Sequence, residues 1–400
     1  MKMLLASALA AVSLSQAAFA DGIDISGSIA AENRVFFERG NLPGQLQTYQ
    51  GSLEFELDVR WTSPDRRWDF VFVPFGRLDG RDGERTHFDA REAYVRWNGD
   101  TVSVRTGYAK VFWGVAESLH LVDIINQSDG IEDIDNEDKL GQLMLEVSVQ
   151  QDWGQITGYV LPSFRKRTFA GVDGRLRLPF PVDDSLTRFD QGQDEGGDID
   201  FALRYSHYFG DWDVGLSFFS GASRDPRFVI DPSLGVFAPF YDDITQVGVD
   251  LQYTNEAWLW KFEGIVRDTP FETFVAGVGG LEYSFYGVTE AGADLGIILE
   301  IQYDNRSNDP LLGPLSPADN DLVTGFRYSL NDVEDTAVLA GITTDLDDGS
   351  LSGFVEASRR IGDNWTTELE GRFFLSVDQQ NLIAGFSKDS HIIIRLTRYF

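Results

Sequence analysis

Residues 49–61 read YQGSLEFELDVRW. Tyr49, Gly51, Leu53, Phe55, Leu57, Val59 and Trp61 fall on one side of an extended chain, and Ser52, Glu54, Glu56, Asp58 and Arg60 on the other. Successive side chains of a strand point to opposite faces, so this period of two separates an apolar face from a charged one. Strands in soluble sandwiches are usually about 5–6 residues long, less than half of this run. A tilted strand that crosses a bilayer needs about 9–11 residues. Aromatic residues at both ends match the two interfaces of a membrane.

The alternation recurs along the chain. Ile199, Phe201, Leu203 and Tyr205 alternate with polar residues, as do Val247, Val249, Leu251 and Tyr253. Leu295, Ile297, Leu299, Ile301 and Tyr303 repeat it, and Ile392, Ile394 and Leu396 carry it to the end. Charge on one face and hydrocarbon on the other predict a wet side and a dry side, the interior and the lipid face of a barrel. Tight connections at 62–67, 98–100, 152–154, 210–213, 255–257 and 363–364 are interspersed with mostly longer ones at 111–140, 164–197, 222–242, 307–319 and 378–389. Bacterial barrels place short turns in the periplasm and longer loops outside. The expectation is an all-β chain: one closed antiparallel transmembrane β-barrel of about eighteen strands over residues 21–400. Sixteen strands is the alternative, because 68–77 and 156–163 carry apolar residues on both faces.

Lys2, the apolar residues from Leu4 to Leu14, and Ala18-Phe19-Ala20 compose an export signal over residues 1–20. No later stretch has the roughly 18 continuous apolar residues of a membrane helix. The expected location is the outer membrane of a Gram-negative cell, with its lipid and lipopolysaccharide as partners. The chain has no cysteine, which excludes disulfides, thiolate metal centres and a cysteine nucleophile. A net charge of −31 disfavours nucleic acid as a partner, because phosphate needs a basic patch. No cofactor is expected. The 13% aromatic content and 40 glycines suit interfacial girdles and crowded pleats.

Residues 105–145 read RTGYAKVFWGVAESLHLVDIINQSDGIEDIDNEDKLGQLML. Gly107, Trp113-Gly114, Glu117, Asp123, Asn126, Asp129 and Leu140-Gly141 give this stretch a pattern that resembles a segment of porin-like outer-membrane proteins, and REAYVRW at 91–97 resembles the strand before it. Phe400 is similar to the terminal residue read by the barrel-assembly machinery. The resemblance implies a transmembrane pore for small solutes, in a class whose wide barrels often form homotrimers.

Two sets of residues are candidates for the site. Trp113, Glu117, Asp123, Asp129, Asp133 and Asp135 belong to the 111–140 connection, which either enters the barrel and constricts it or packs on the outer rim. Carboxylates at a constriction favour cations. The Asp133-x-Asp135-x-Glu137 spacing lacks the glycine of a calcium loop, and no metal ligands are assigned. The second set would line the pore: Glu54, Glu56, Asp58, Arg60, Arg105, Glu146, Arg204, Asp250, Lys261, Glu263, Glu300, Arg327, Glu356, Glu370, Arg372 and Arg395. These charges either act on passing solutes or pair across strands to stiffen the wall.

The chain has four histidines, and His120 near Asp123 is the only suggestive catalytic pair. No G-x-S-x-G motif accompanies it, so catalysis is not expected. The expected function is passive diffusion of small hydrophilic solutes with a mild cation preference. The alternatives are a non-conducting structural or adhesive surface barrel and an outer-membrane hydrolase. The basic residues Arg165, Lys166, Arg167, Arg175 and Arg177 would face lipopolysaccharide phosphates in the adhesive reading.

Overall fold

A computed structural model describes residues 22–190 and 199–400; the expected export signal at 1–20 lies outside them. Eighteen strands form one sheet in which sequence neighbours pair antiparallel. They are β1 Ile23–Phe36, β2 Tyr49–Thr62, β3 Trp68–Asp79, β4 His87–Asn98, β5 Val102–Ala109 and β6 Gln142–Gln151. Next come β7 Gly154–Leu161, β8 Asp200–Phe209, β9 Trp212–Ala222, β10 Asp243–Asn255, β11 Trp258–Asp268 and β12 Thr273–Phe285. The last six are β13 Asp294–Asp304, β14 Asn320–Ser329, β15 Ala337–Asp345, β16 Leu351–Ile361, β17 Trp365–Ser376 and β18 His391–Tyr399. β1 pairs with β18, so the sheet closes on itself and leaves no edge.

The expected face assignment holds strand by strand. In β2, Phe55 points outward and is exposed, while Ser52 is buried inside. Outward aromatic residues gather at the end where the connections are short: Trp212 stacks on Tyr253 at 4.6 Å and Trp258 meets Tyr283 at 4.5 Å. β3 and β7 are both present, which settles the count at eighteen. Their inner faces are apolar because protein covers them. Val71, Val73, Tyr159 and Leu161 are buried against residues of the 110–141 connection. Pro74 lies where the β3–β4 register shifts, the place in a ladder that tolerates a residue without an N–H.

Turns at 99–101, 152–153, 210–211 and 256–257 close one end, and the connections 37–48, 110–141, 162–199, 223–242, 305–319 and 377–390 emerge at the other. Two connections at the long-loop end, 269–272 and 346–350, are short. Three short strands outside the barrel, Arg188–Phe189, Arg227–Asp231 and Val236–Tyr241, form a small sheet over the long-loop end. Phe164, Phe189 and Tyr241 pack beneath it. Arg175 joins three loops. Its guanidinium donates to Asp389 at 2.5 Å, to the Lys388 carbonyl at 2.7 Å and to the Gln47 carbonyl.

Candidate functional site: a loop folded into the barrel

The 110–141 connection turns inward. Asn126 holds its neck: Nδ2 donates to the carbonyls of Ala109 at 2.9 Å and Leu140 at 2.8 Å, and Oδ1 accepts the Val111 N–H at 2.8 Å. From there the loop lies against the inner wall from β3 to β13. Trp113, Ala116, Leu121, Val122, Ile124 and Ile125 join Met144, Phe219, Ile244, Ile265, Phe274 and Val278 in one buried apolar cluster. Burying each large side chain of this kind contributes about 1.5–3 kcal/mol, so the loop has a core of its own inside the barrel. Trp113 meets the Tyr159 ring edge-on at 5.7 Å and lies under the Arg204 guanidinium at 5.2 Å.

Two wall carboxylates hold the loop backbone. Glu263 Oε1 accepts the N–H groups of Val115 at 2.7 Å and Ala116 at 3.0 Å, while Oε2 takes the Val122 N–H at 3.3 Å. Glu300 accepts the N–H groups of Glu117 at 2.8 Å and Ser118 at 2.9 Å, and the Ser118 hydroxyl at 2.5 Å. The close approach requires Gly114, whose φ is +143°; a Cβ there would lie 2.9 Å from Glu263 Oε1.

The acidic side chains of the loop meet wall cations in turn. Glu117 pairs with Lys261 at 3.2 Å and Arg327 at 2.8 Å. Asp129 accepts from Arg91 at 2.5 Å, and Glu132 from Arg77 at 3.1 Å. Asp133 lies 3.7 Å from Arg34, and Asp135 pairs with Arg372 at 2.6 Å. Asp123 pairs within the loop with Lys139 at 3.3 Å. His87, Asp129 and Glu132 offer ligand atoms within 4.8 Å of one another, but Arg91 and Arg77 already neutralise the two carboxylates.

Ionisation follows these contacts. Burial opposes the charge of Glu117, yet Arg327 and Lys261 outweigh it and hold the carboxyl below its ordinary value. Burial pushes Asp123 upward, with Lys139 opposing. Asp138 has no cation at ion-pair distance among the described residues. Asp138 is exposed on the loop, but partial loss of hydration inside the barrel, then the nearby Glu132 and Asp135, push it up to about 7.

The charged wall residues anticipated to line the pore all face inward, in two environments. Beneath the loop, Glu263 and Glu300 are 0% and 1% exposed and bond to the loop backbone instead of water. Arg105 pairs with Glu146 on the neighbouring strand. Arg204 reaches Asp250 at 2.8 Å across the intervening β9, where Gly215 leaves the space both side chains occupy. On the other side, from β14 to β17 and along β2, the inner face is more open, while the inward residues Glu32 and Arg34 of β1 and His391 and Ile393 of β18 are buried. Arg327 and Glu356 side chains there are 40% and 36% exposed. Glu54, Glu56, Asp58, Glu370, Arg372 and Arg395 border the same space, and Arg60 lies at its short-turn end, paired with Asp58 at 2.9 Å. The interior therefore has a filled half and a hydrated half.

Sequence reasoning did not single out Arg34, Arg77, Arg85 and Arg91, which with Glu32 form the buried network beneath the acidic part of the loop. Arg34, Arg77 and Arg91 sit at inward positions of β1, β3 and β4, and Arg85 in the 80–86 connection; acidic neighbours in sequence made each read as a locally paired charge. His120 lies 3.7 Å from Glu263 and edge-on to Phe112.

No protein-family model matches the chain, and no curated protein matches its sequence. Solved structures do match. OccAB1 of Acinetobacter baumannii aligns with a TM-score of 0.54 at 9% identity, over 95% of this chain and 96% of that one. A BenF-like porin from Pseudomonas fluorescens Pf-5 aligns at 0.53 and 11% identity, over 95% and 97%. The chain has the fold of a porin-like outer-membrane β-barrel. Wzi of Escherichia coli, an outer-membrane carbohydrate-binding β-barrel involved in group 1 capsule assembly, aligns at 0.55 and 9% identity, over 94% of this chain and 84% of that one.

Proposed function

We propose that this protein is an outer-membrane channel through which small hydrophilic solutes diffuse passively, with a mild preference for cations. The observation that carries the reading is the division of the interior. The loop occupies one side, and charged, half-exposed side chains face water on the other. A wall of this kind sieves by the width left beside the loop and tunes passage by charge. Glu56, Glu137 and Asp138 enter no ion pair among the described residues, while the basic residues Arg327, Arg372 and Arg395 are paired with carboxylates. That leaves an acidic surplus on the open side, which favours cations. In this reading residues 1–20 direct export, the long loops face outside, and the short turns face the periplasm.

The small sheet and the Arg175 contacts at the long-loop end favour a second reading, a closed surface barrel. A carbohydrate-binding barrel among the structures of like fold is consistent with that reading. Planar-bilayer recording of the purified chain under a salt gradient separates the two. Stable single-channel steps with a cation-selective reversal potential support the channel. An insulating bilayer despite insertion supports the closed barrel, and an anion-selective potential refutes the charge assignment.

A further inference from the structure

We propose that the long-loop ends of β14 and β15 hold a divalent cation of the calcium class, bound by Asp319, Asp321, Asp345 and Asp347. One carboxylate oxygen from each of Asp319, Asp345 and Asp347 lies within 4.8 Å of the other two. The second observation concerns Asp321, which is 3% exposed. Its Oδ2 is buried without a hydrogen-bond partner. Asp321 is also the register partner of Asp345 across the β14–β15 ladder, so the two side chains share a face. Like charges directly opposite one another destabilise an antiparallel pair, and a carboxylate taken out of water needs a counter-charge.

The described residues supply no such charge. None of the four aspartates enters an ion pair among the described residues, and Arg306, the one basic residue of the 305–319 connection, is held by Asp304 at 2.6 Å. Neighbouring amides orient the cluster. Asn381 Nδ2 donates to Asp345 at 2.8 Å and to Asp348 at 2.9 Å, and Asn320 Nδ2 donates to Asp347 at 3.0 Å.

The donor set consists of carboxylate oxygens, with no thiolate or imidazole, which selects a hard cation over a transition metal. Calcium accepts six to eight oxygens in a flexible geometry, whereas magnesium usually keeps its waters and takes one or two carboxylates. Four carboxylates on one short ladder and its flanking loops fit calcium better. A bound ion would tie the 305–319 connection to the 346–350 turn, which Asn381 of the 377–390 connection already contacts through Asp348. This role is independent of whether the barrel conducts.

The test is calorimetric titration of the full chain in detergent, stripped with EDTA, using CaCl2 and in parallel MgCl2. One calcium site is expected, with Kd of about 10⁻⁴–10⁻³ M, the range of extracellular calcium modules, and weaker binding of magnesium. Asp321→Asn and Asp345→Asn should each weaken calcium binding at least about tenfold. Asp347→Asn changes an exposed loop residue and keeps the test open if the buried variants misfold; it too should weaken binding. Absence of a calcium heat up to several millimolar would overturn the proposal. So would equal affinity in the wild type and all folded variants, which would mean diffuse surface attraction. A protein that is stabilised by acid and indifferent to calcium would instead assign the buried pair a shared proton, and would also overturn it.

Discussion

Glu263 in β11 accepts the backbone N–H of Val115 at 2.7 Å, 148 residues away in sequence. The strand thus provides an acceptor for peptide groups that would otherwise be unsatisfied inside the barrel. Removing it should release the loop without opening the wall. We expect Glu263→Ala to free three N–H groups and destabilise the docked loop by about 3 kcal/mol or more, since a hydrogen bond to a charged group contributes about 1.5–3 kcal/mol. Single-channel recording should show larger and noisier conductance, and limited proteolysis should gain a cut within 110–141. An unchanged trace and digest would refute this anchoring role.

Asn126 offers a milder version of the same experiment. Asn126→Ala loses three hydrogen bonds at the loop neck, each worth about 1 kcal/mol. The barrel should stay closed, as read by a gel mobility that still shifts on heating, while current fluctuations increase.

Asp138 predicts the pH response. Its carboxyl is pushed from 3.8 to about 7. The folded chain therefore retains a proton that the unfolded chain has lost, and this residue's contribution to stability falls as pH rises from 3.8 toward about 7. The charge it adds to the open side has the opposite trend. Cation-over-anion permeability should be higher at about pH 8.5 than at about pH 5.5, and Asp138→Asn should flatten the change near neutrality. A wild-type ratio independent of pH contradicts the assignment.

Arg372 lies between Asp135 of the loop at 2.6 Å and Glu356 of β16 at 2.8 Å. Arg372→Gln removes the cation that these two carboxylates share. The reversal potential under a salt gradient should move further toward cations, and conductance should become more sensitive to ionic strength because the exposed charges are screened.

Arg175 is buried and bridges three loops. Breaking one partner of a buried ion pair costs about 3–5 kcal/mol. Arg175→Ala should leave the barrel intact but expose the long-loop end to protease added outside whole cells, with cuts in 37–48 or 377–390.

The fold was legible where one face was lipid and the other water. β2, β10 and β13 carry that pattern in their side chains, and the sequence assigned their faces as the structure does. β3 and β7 were ambiguous for a reason only the folded loop reveals: Val71, Val73, Tyr159 and Leu161 face inward but are dry. The apolar start of the 111–140 segment was visible, yet the same residues suit a loop packed on the rim. What separates the two arrangements is contact with Glu263 and Glu300, more than 140 residues distant. Register was equally hidden, and with it the meeting of Asp321 and Asp345 across a ladder.

The pairing of β1 with β18 sets Ala30 beside Thr397, so the seam joins segments at opposite extremes of the polypeptide. Contacts of such sequence separation form slowly, because the chain entropy they consume is surrendered before any reward arrives. A partly delivered chain cannot seal the cylinder, and until the final segment is in place the flanking strands present bare ladders to any neighbour able to add to them. Protection of those ladders until closure is therefore a demand of the topology itself.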